Sequence, residues 1–413
     1  MKDKNIKRVL TGQQLGLLGG PLYTTYKVLG ALKLSKEIYG RAIYWLETND
    51  ADFNEINHID YLDSSGKLRT LKWDIDSKGY SCGSIEVDEK LTDILEEFFS
   101  SITQTEYTGE IKKIAMESYL PGKSLGEASS DLAHRLFEGF DLEIFDPSDE
   151  EFRQFTRPIL LKEANRTKNG FQCNLFFMDG KKRIAIFKKG EGYVSREGNR
   201  INLNDFILVP SLRTRSICQD SFFSTFAYVA GPGEVKYLTE LIPDYKFHNV
   251  TASGIVPRMS VDIVEPVSIR ILKKLGLEIR DLDRFSVDEM KNLKLTELTG
   301  FDKKNIQKKS GEYKNEFVEN LKNLGLETSG FNREIADKLK ELIGKKRREA
   351  KEKGEVILRH VETIYNLLRP FGKRQERVFN IFYYMNLFGG RDLIKRMYKN
   401  YDNSLDSLEI KNV

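Results

Sequence analysis

Apolar and polar positions alternate with two different periods along this chain, and the switches between them mark its elements. KRVLTGQQ reads as a strand running into a loop. Pro21 suits the first turn of a helix, where its missing N–H leaves nothing unsatisfied. Leu22, Tyr26, Leu29 and Leu32 then stand at helical spacing, and Leu34 and Ile38 continue the apolar side. Residues 42 to 46 form a short, nearly continuous apolar run, as in a strand buried on both faces. The acidic text ETNDADFNEINHID follows. Strand, glycine loop, helix, strand and acidic loop make a βαβ unit, for which a right-handed crossover is expected.

From 88 to 140 helical spacing dominates, and Ser124 with Glu127 three residues on predicts a capping box. LEIFDP reads as a core strand closed by Pro147. Residues 174 to 210 alternate as β-strands do, with turns at Asp179-Gly180 and at Gly190 to Gly192. TFAYVAGPGEVKYLTELI repeats the early logic: a strand, Gly231-Pro232-Gly233, then a helix expected from Glu234. SGIVPRMSVDIVEP reads as one more short apolar strand. Strands alternating with helices predict an α/β domain with a mainly parallel sheet. Beyond Pro266 the chain is charged and helical. Ile357, Val361, Ile364 and Leu368 mark a heptad seam, and Ile335, Leu339 and Leu342 repeat it earlier. The basic stretch GKKRREAKEKG, residues 344 to 354, predicts a helical hairpin or coiled coil interrupted at its two glycines. The tail RVFNIFYYMNLFGGRDLIKRMY is apolar enough to dock on the core or on a second subunit. The expected divisions are an α/β core over 1–266 with inserted segments at about 61–210, a helical coiled-coil region over 267–370, and a C-terminal helical segment over 371–413.

Composition narrows this picture without redirecting it. Of 413 residues, 40% are hydrophobic and 31% charged, which excludes wholesale disorder. A net charge of +4 forces neither a nucleic-acid nor a membrane partner, and neither is expected. No run of about 18 apolar residues appears, and MKDKNIKRVL has no apolar leader core. Cys82, Cys173 and Cys218 match no metal or redox spacing, so a reduced cytoplasmic setting is expected.

Three stretches carry candidate chemistry. Gly12, Gly16, Gly19 and Gly20 lie between a strand and a helix, where backbone N–H groups and the helix dipole suit an anion. Neither GxGxxG nor GxxxxGK[ST] is spelled there. Gln13 and Gln14 add amide donors and acceptors. A tight turn that needs positive φ explains the same glycines equally well. Glu47, Asp50, Asp52, Glu55 and Asp60 crowd the end of the second strand, where open α/β sheets bind ligands. Clustered carboxylates recognise an amine, hold Mg2+ or act as a base, and a solvated acidic loop is the plainer alternative. His58 is a candidate base, whereas His134, His248 and His360 suit packed or surface positions. Arg213 and Arg215 suit a carboxylate or phosphate, or else surface ion pairs. Gln219 and Asp220 stand just before the next strand, and Gly231 and Gly233 form a second anion loop at a helix start. Cys218 reads as a buried structural thiol. The residues themselves assign no metal site.

TGQQLGLLGGPLYTTYK, DADFNEINHIDYLD, QDSFFSTFAYVAGPGEVKYLTEL, IVPRMSVDIVE and RQERVFNIFYYMNLFG together resemble the bacillithiol biosynthesis cysteine-adding enzymes. The resemblance spans residues 11 to about 390. It implies a Rossmann-like parallel-sheet core with inserted connecting segments, an α-helical coiled coil and a homodimer built through it. It implies a reaction joining the carboxyl of cysteine to the amine of glucosaminyl-malate, with ATP or ADP as a bound nucleotide and a Mg2+ requirement left open. It carries a site onto Gln13, Gln14, Gly16, Gly19, Gly20, Asn57, Gln219, Asp220, Tyr228, Gly231, Gly233, Glu234, Arg258 and Ser260, with Asp50, Asp52 and His58 as the catalytic candidates. This chain departs from the family where Glu-Asp-His-Asp-Phe is usual and Asn49-Asp50-Ala51-Asp52-Phe53 stands instead. It also begins almost at the first strand, without the family's helical N-terminal extension, and its coiled coil is shorter. A ligase for another amine, or an inactive homologue, is therefore the neighbouring expectation. From other classes come an RNA-binding scaffold using the helix at 344–354 and a tRNA-charging enzyme. The latter has little support: PRMSVD lacks both lysines of the lysine-methionine-serine-lysine-serine loop.

Overall fold

The computed structural model describes residues 6–402 and the backbone of 407–409, the side chains of 303 and 329–332 excepted. Contacts divide the chain into two compact units, one of residues 1–262 and 376–408, the other of 263–375 with 409–413.

In the first unit β1 (Arg8–Gln13) leads through the glycine loop into α1 (Tyr23–Glu37) and back to β2 (Arg41–Leu46). β1 and β2 are parallel and in register from Arg8 opposite Arg41 to Gln13 opposite Leu46. Leu22, Tyr26 and Leu29 of the predicted apolar side are fully buried, as are Ala42 and Ile43 of β2. A hairpin of β3 (His58–Leu62) and β4 (Leu68–Lys72) follows, then α2 (Glu89–Ser101), α3 (Thr108–Ser118) and α4 (Leu125–Leu136). The Ser124–Glu127 capping box forms in both directions. β5 (Leu142–Phe145) closes one edge of the parallel sheet.

α5 (Glu150–Arg166) introduces an antiparallel sheet: β6 (Gln172–Asp179), β7 (Lys182–Lys189), β8 (Gly192–Val194), β9 (Arg200–Ile201) and β10 (Ile207–Pro210), in the order β10-β6-β7-β8-β9. The chain then forms α6 (Leu212–Phe223), β11 (Thr225–Ala230), α7 (Pro232–Glu240), α8 (Ile242–His248) and β12 (Gly254–Pro257). α7 thus starts at Pro232, not Glu234, because proline is preorganised for a helix's first position. SGIVPRMSVDIVEP is not one strand: residues 262–264 form a separate one.

The five parallel strands run β12-β11-β1-β2-β5. The chain builds outward from β1 on one side, then returns to add β11 and β12 on the other. The order reverses between β1 and β11, the place where open sheets of this kind hold ligands at their carboxyl ends. Trp45, Phe145, Phe152 and Phe223 knit the sheet to α5 and α6, with Trp45 edge-on to Phe152 at 5.1 Å between ring centres. The tail segments α15 (Ile381–Leu387) and α16 (Asp392–Lys399), numbered after the helices of the second unit, complete this unit. Phe379 accepts a 2.7 Å bond from the Leu22 backbone N–H through its carbonyl, and its side chain is fully buried.

The second unit is helical: α9 (Pro266–Leu275), α10 (Asp281–Arg284), α11 (Val287–Thr299), α12 (Lys303–Asn323), α13 (Ser329–Lys353) and α14 (Glu355–Leu368). Val361, Ile364 and Leu368 form the buried seam of α14. The earlier seam differs from its expectation: Leu342 is 53% exposed, and Ile343 packs on Leu295, Phe301 and Ala350 instead. α13 also runs unbroken through Gly344, whose propensity penalty of about 1 kcal/mol is too small to end a helix. Of Gly344 and Gly354 only the latter stands at a helix end, where a Cβ would lie 2.5 Å from Leu295. Among the described residues no helix is long and apolar enough to cross a membrane.

Candidate functional site

At the carboxyl ends of β1 and β11 a cleft of about 280 Å3 opens. Gly12, Gln13 and Gln14 form one wall, Gly231, Pro232, Gly233 and Glu234 another, and Tyr23, Lys27, Arg215, Tyr237, Arg258 and Arg377 complete it with Leu212. Four cationic side chains thus face one carboxylate.

Lys27 lies on α1 one turn beyond Tyr23 and is nearly fully buried. Its ammonium reaches Glu234 Oε2 at 2.5 Å, the Gly12 carbonyl at 2.8 Å and Gln13 Oε1 at 3.0 Å. Burial lowers its pKa, and the Glu234 carboxylate pulls the other way. Gln13 in turn donates to Tyr23 Oη at 3.2 Å. Glu234 accepts a 2.8 Å bond from the Gly231 N–H, which closes the first turn of α7. Tyr228 lies beneath, its hydroxyl 3.4 Å from Glu234 Oε1, and burial raises its pKa.

The arginines are held by carboxylates behind them. Arg215 donates to Glu47 Oε2 at 2.6 Å, and the same carboxylate accepts from the Trp45 indole at 3.0 Å. Burial works against the Arg215 charge, and the Glu47 carboxylate outweighs it and raises the pKa. Arg258 makes a two-pronged pair with Glu376 at 3.0 and 2.8 Å, and Ser260 donates to Glu376 Oε1 at 2.8 Å. Arg258 also lies 5.2 Å over the Tyr23 ring, while its buried Nε has no partner. Ser260 therefore serves Glu376 rather than lining the cleft. Arg213 does not join Arg215. Two residues apart on α6 they point to opposite sides, and Arg213 pairs with Asp244 at 2.6 Å.

The glycine loop does not form an anion cradle. Its N–H groups are spent within the protein: Gly16 on the Gln14 carbonyl, Leu17 on Ile56, Leu18 on the Tyr119 hydroxyl and Gly20 on Leu17. Gly16 and Gly20 touch, since a Cβ on Gly16 would stand 2.5 Å from the Gly20 Cα. Gly19 and Gly20 have φ of 82° and 72°. Gly19 and Gly20 thus carry the positive φ of a tight turn, Gly16 is extended at φ −61° and is bare because of the Gly20 contact, and only Gly12 of the four reaches the cleft.

The acidic loop is likewise committed elsewhere. Asp50 accepts from Gln14 at 2.6 Å and from Arg183 of β7 at 3.0 Å. Burial would raise its pKa, but Gln14, Arg183 and backbone N–H groups outweigh that and lower it. Gln14 also donates to Glu55 at 2.6 Å. Asp52 is exposed and His58 sits on the surface of β3, 3.8 Å from Asp60; neither lines the cleft. Asn57 is buried and donates to the Trp73 carbonyl at 3.2 Å. Gln219 is buried with neither amide atom partnered, one helical turn from Arg215 on the same side of α6. Asp220 accepts from Tyr245 at 2.7 Å and from the Ser253 N–H at 2.9 Å, and burial raises its pKa. Cys218 is fully buried and burial raises its pKa, as befits a packed thiol. No group of three His, Cys, Asp or Glu side chains converges as a metal site among the described residues.

Of the residues singled out from the sequence, Gln13, Gln14, Arg215, Gly231, Gly233, Glu234 and Arg258 line this one cleft. Sequence reading missed Tyr23, Lys27, Tyr237 and Arg377, and with them Arg183 and Glu376 behind the site. A helical signal existed for two of these: Tyr23 and Lys27 are four apart at the start of the helix that follows the loop.

Comparison with known proteins agrees with the fold. The family description "Bacillithiol biosynthesis BshC, N-terminal Rossmann-like domain" matches residues 1–172 and 165–259. "Bacillithiol biosynthesis BshC, C-terminal coiled-coil domain" matches 261–408. A Salinibacter ruber protein named "Putative cysteine ligase BshC" is 25% identical over 436 residues, 94% of this chain and 80% of its own. A Geobacillus protein of the same name is 25% identical over 445 residues, 95% of this chain and 82% of its own. Among solved structures, Plasmodium falciparum tryptophanyl-tRNA synthetase covers 90% of this chain and 84% of its own at 12% identity and a TM-score of 0.28, too low to carry an argument. With both domain descriptions matched end to end, the chain belongs to the bacillithiol biosynthesis BshC family.

Proposed function

We propose that this chain is a carbon–nitrogen ligase that adds cysteine to the amine of glucosaminyl-malate, with its reaction centre in the cleft between β1 and α7. The observation that carries this reading is the charge of that cleft: Lys27, Arg215, Arg258 and Arg377 around Glu234 at the sheet's reversal point. Both substrates bear carboxylates, and a nucleotide bears phosphates. Arg215 and Arg258, each fixed from behind by a carboxylate, offer preorganised donors for such groups. Joining a free carboxylate to an amine releases water and is uphill in water. Coupling to ATP cleavage removes the carboxylate oxygen on phosphorus and makes the step favourable. The names of the relatives support the ligase class.

A related ligase with another amine substrate is the second reading. It is favoured by Ala51 in the acidic motif and by the closed pairing of Asp50 with Gln14 and Arg183. An RNA scaffold is not favoured, because an exposed lysine- and arginine-rich helical face is ordinarily just solvated. A homodimer through the helical unit is supported by exposed Tyr313, Phe317, Leu324 and Leu342. Three buried free cysteines suit a cytoplasmic setting.

The test is direct. Purified protein given cysteine, ATP and glucosaminyl-malate should form bacillithiol, read by mass spectrometry. Failure beside an active relative, with the protein folded, would refute the reading. Product with a different sugar amine only would select the second one.

A further inference from the structure

We infer that Glu234 is the base that takes a proton from the attacking amine, an assignment that rests on the ligase reading above. An amine near neutral pH is an ammonium ion, and it cannot attack until it loses a proton. It also needs a negative partner on arrival. Glu234 is the one carboxylate lining the cleft; the other charged groups there are Lys27, Arg215, Arg258 and Arg377. Asp50, the more conspicuous candidate in the sequence, is engaged with Gln14 and Arg183.

The two oxygens of Glu234 have different duties. Oε2 is held by the Lys27 ammonium at 2.5 Å and by the Gly231 N–H at 2.8 Å. Oε1 has only the Tyr228 hydroxyl, at a long 3.4 Å, and keeps lone pairs for a ligand. One oxygen thus fixes the side chain and the other is presented. The step balances as follows. An ammonium N–H passes its proton to Oε1. The freed nitrogen lone pair attacks the nucleotide-activated cysteinyl carbon, and a C–N bond forms. The C–O bond to the phosphorus-bearing leaving group breaks, and that oxygen keeps the electron pair. The second nitrogen proton goes to solvent.

Hydroxylamine separates this role from a structural one, because it is largely unprotonated at neutral pH and needs no base. Wild type, Glu234→Gln and Glu234→Asp are assayed with cysteine and ATP, using hydroxylamine or glucosaminyl-malate as acceptor. E234Q should lose about 10²- to 10⁴-fold in rate with the sugar amine, and its loss in cysteine hydroxamate formation should be at least about tenfold smaller than that. E234D should recover part of the sugar-amine rate. Equal losses with both acceptors, or no loss with either, overturn the assignment. Wild type that forms hydroxamate but transfers to no sugar amine overturns it too, while leaving carboxyl activation standing. Wild type that forms neither product refutes the ligase reading, and this inference with it.

Discussion

Two loops in this protein share one sequence logic: residues 12–20 after β1 and residues 231–233 after β11. Each joins a parallel strand to a helix through glycine. The first folds in on itself. Tyr119 and the Ile56 carbonyl take its N–H groups, and Gly16 rests against Gly20. The second stays open. Nothing lies within 4 Å of a Cβ built on Gly233, and Gly231 is met only by the side chains of Glu234 and Arg258. Glycine therefore reports that something comes close, and the neighbouring elements decide whether that is the protein or a ligand. The same division into closed and open runs through the charges. Arg213, half-exposed, pairs with Asp244 at the edge of a set whose carboxylates are buried and which includes Arg166, Glu163 and His248, whereas Arg215 faces the cleft.

The sharpest break in the comparison is at Gly16. Gly16→Val drives carbon into the Gly20 backbone, which cannot yield as a flexible side chain does. A loss of about 3 kcal/mol or more in unfolding free energy is expected, read by denaturant titration. Unchanged stability with lost ligand binding would restore the anion-cradle account of this loop.

Next is the closed charge set. Glu163 is fully buried and bonded to His248 at 2.8 Å, to Arg166 at 2.6 Å and to Asn174 at 2.7 Å. Burial alone would raise its pKa; these three partners outweigh it and hold the value at about 2. A folded value below the unfolded one of about 4.5 means stability that is fully present above pH ~4.5 and lost as pH falls toward ~2. Glu163→Gln removes that contribution, on the order of 3 kcal/mol. Wild type and variant should therefore differ at pH 7 and converge near pH 2, as urea midpoints across that range will show. A constant difference at every pH would mean that packing, not charge, is what Glu163 supplies.

The two arginines sharpen the same contrast at smaller scale. Arg215→Ala leaves Glu47 buried beside Trp45 without its cation and removes a cleft donor. About 2 kcal/mol of stability and most of the affinity for the carboxylate substrates should go together. Arg213 is 47% exposed, so Arg213→Ala should cost under about 1 kcal/mol and leave turnover alone. Parallel thermal unfolding and steady-state kinetics decide it; equal kinetic losses would break the division.

The sheet was legible because its signals are local. The apolar run at 42–46 and the capping box at Ser124 each set one element by short-range chemistry, whereas the proline at 232, read as part of the loop, in fact opens α7. α6 was harder: LRTRSICQDSFF is buried on its inner side and salt-bridged on its outer one, so it shows no clean stripe. Leu342 and Ile343 are adjacent and both apolar, and only packing against Leu295 and Phe301 chooses between them. The site was half legible. Glu234 and Arg258 stand next to glycine and proline punctuation, which points to them. The partners that set their roles are remote: Arg183 lies 133 residues from Asp50, and Glu376 lies 118 from Arg258. No local pattern encodes such a pairing.

The smallest expected effect is the cleanest test of the open loop. Gly233 occupies the second position of α7 with ordinary helical geometry, so alanine fits there without backbone strain. Gly233→Ala should leave stability unchanged or raise it by up to about 1 kcal/mol, since alanine is the better helix former. Its methyl group would, however, stand in the cleft, where a ligand can now approach the bare backbone. Ligand-induced thermal shifts with ATP and with cysteine should therefore shrink in a protein that is no less stable by itself. If the shifts persist undiminished, ligands do not come up to this backbone, and the two glycine loops differ in packing alone.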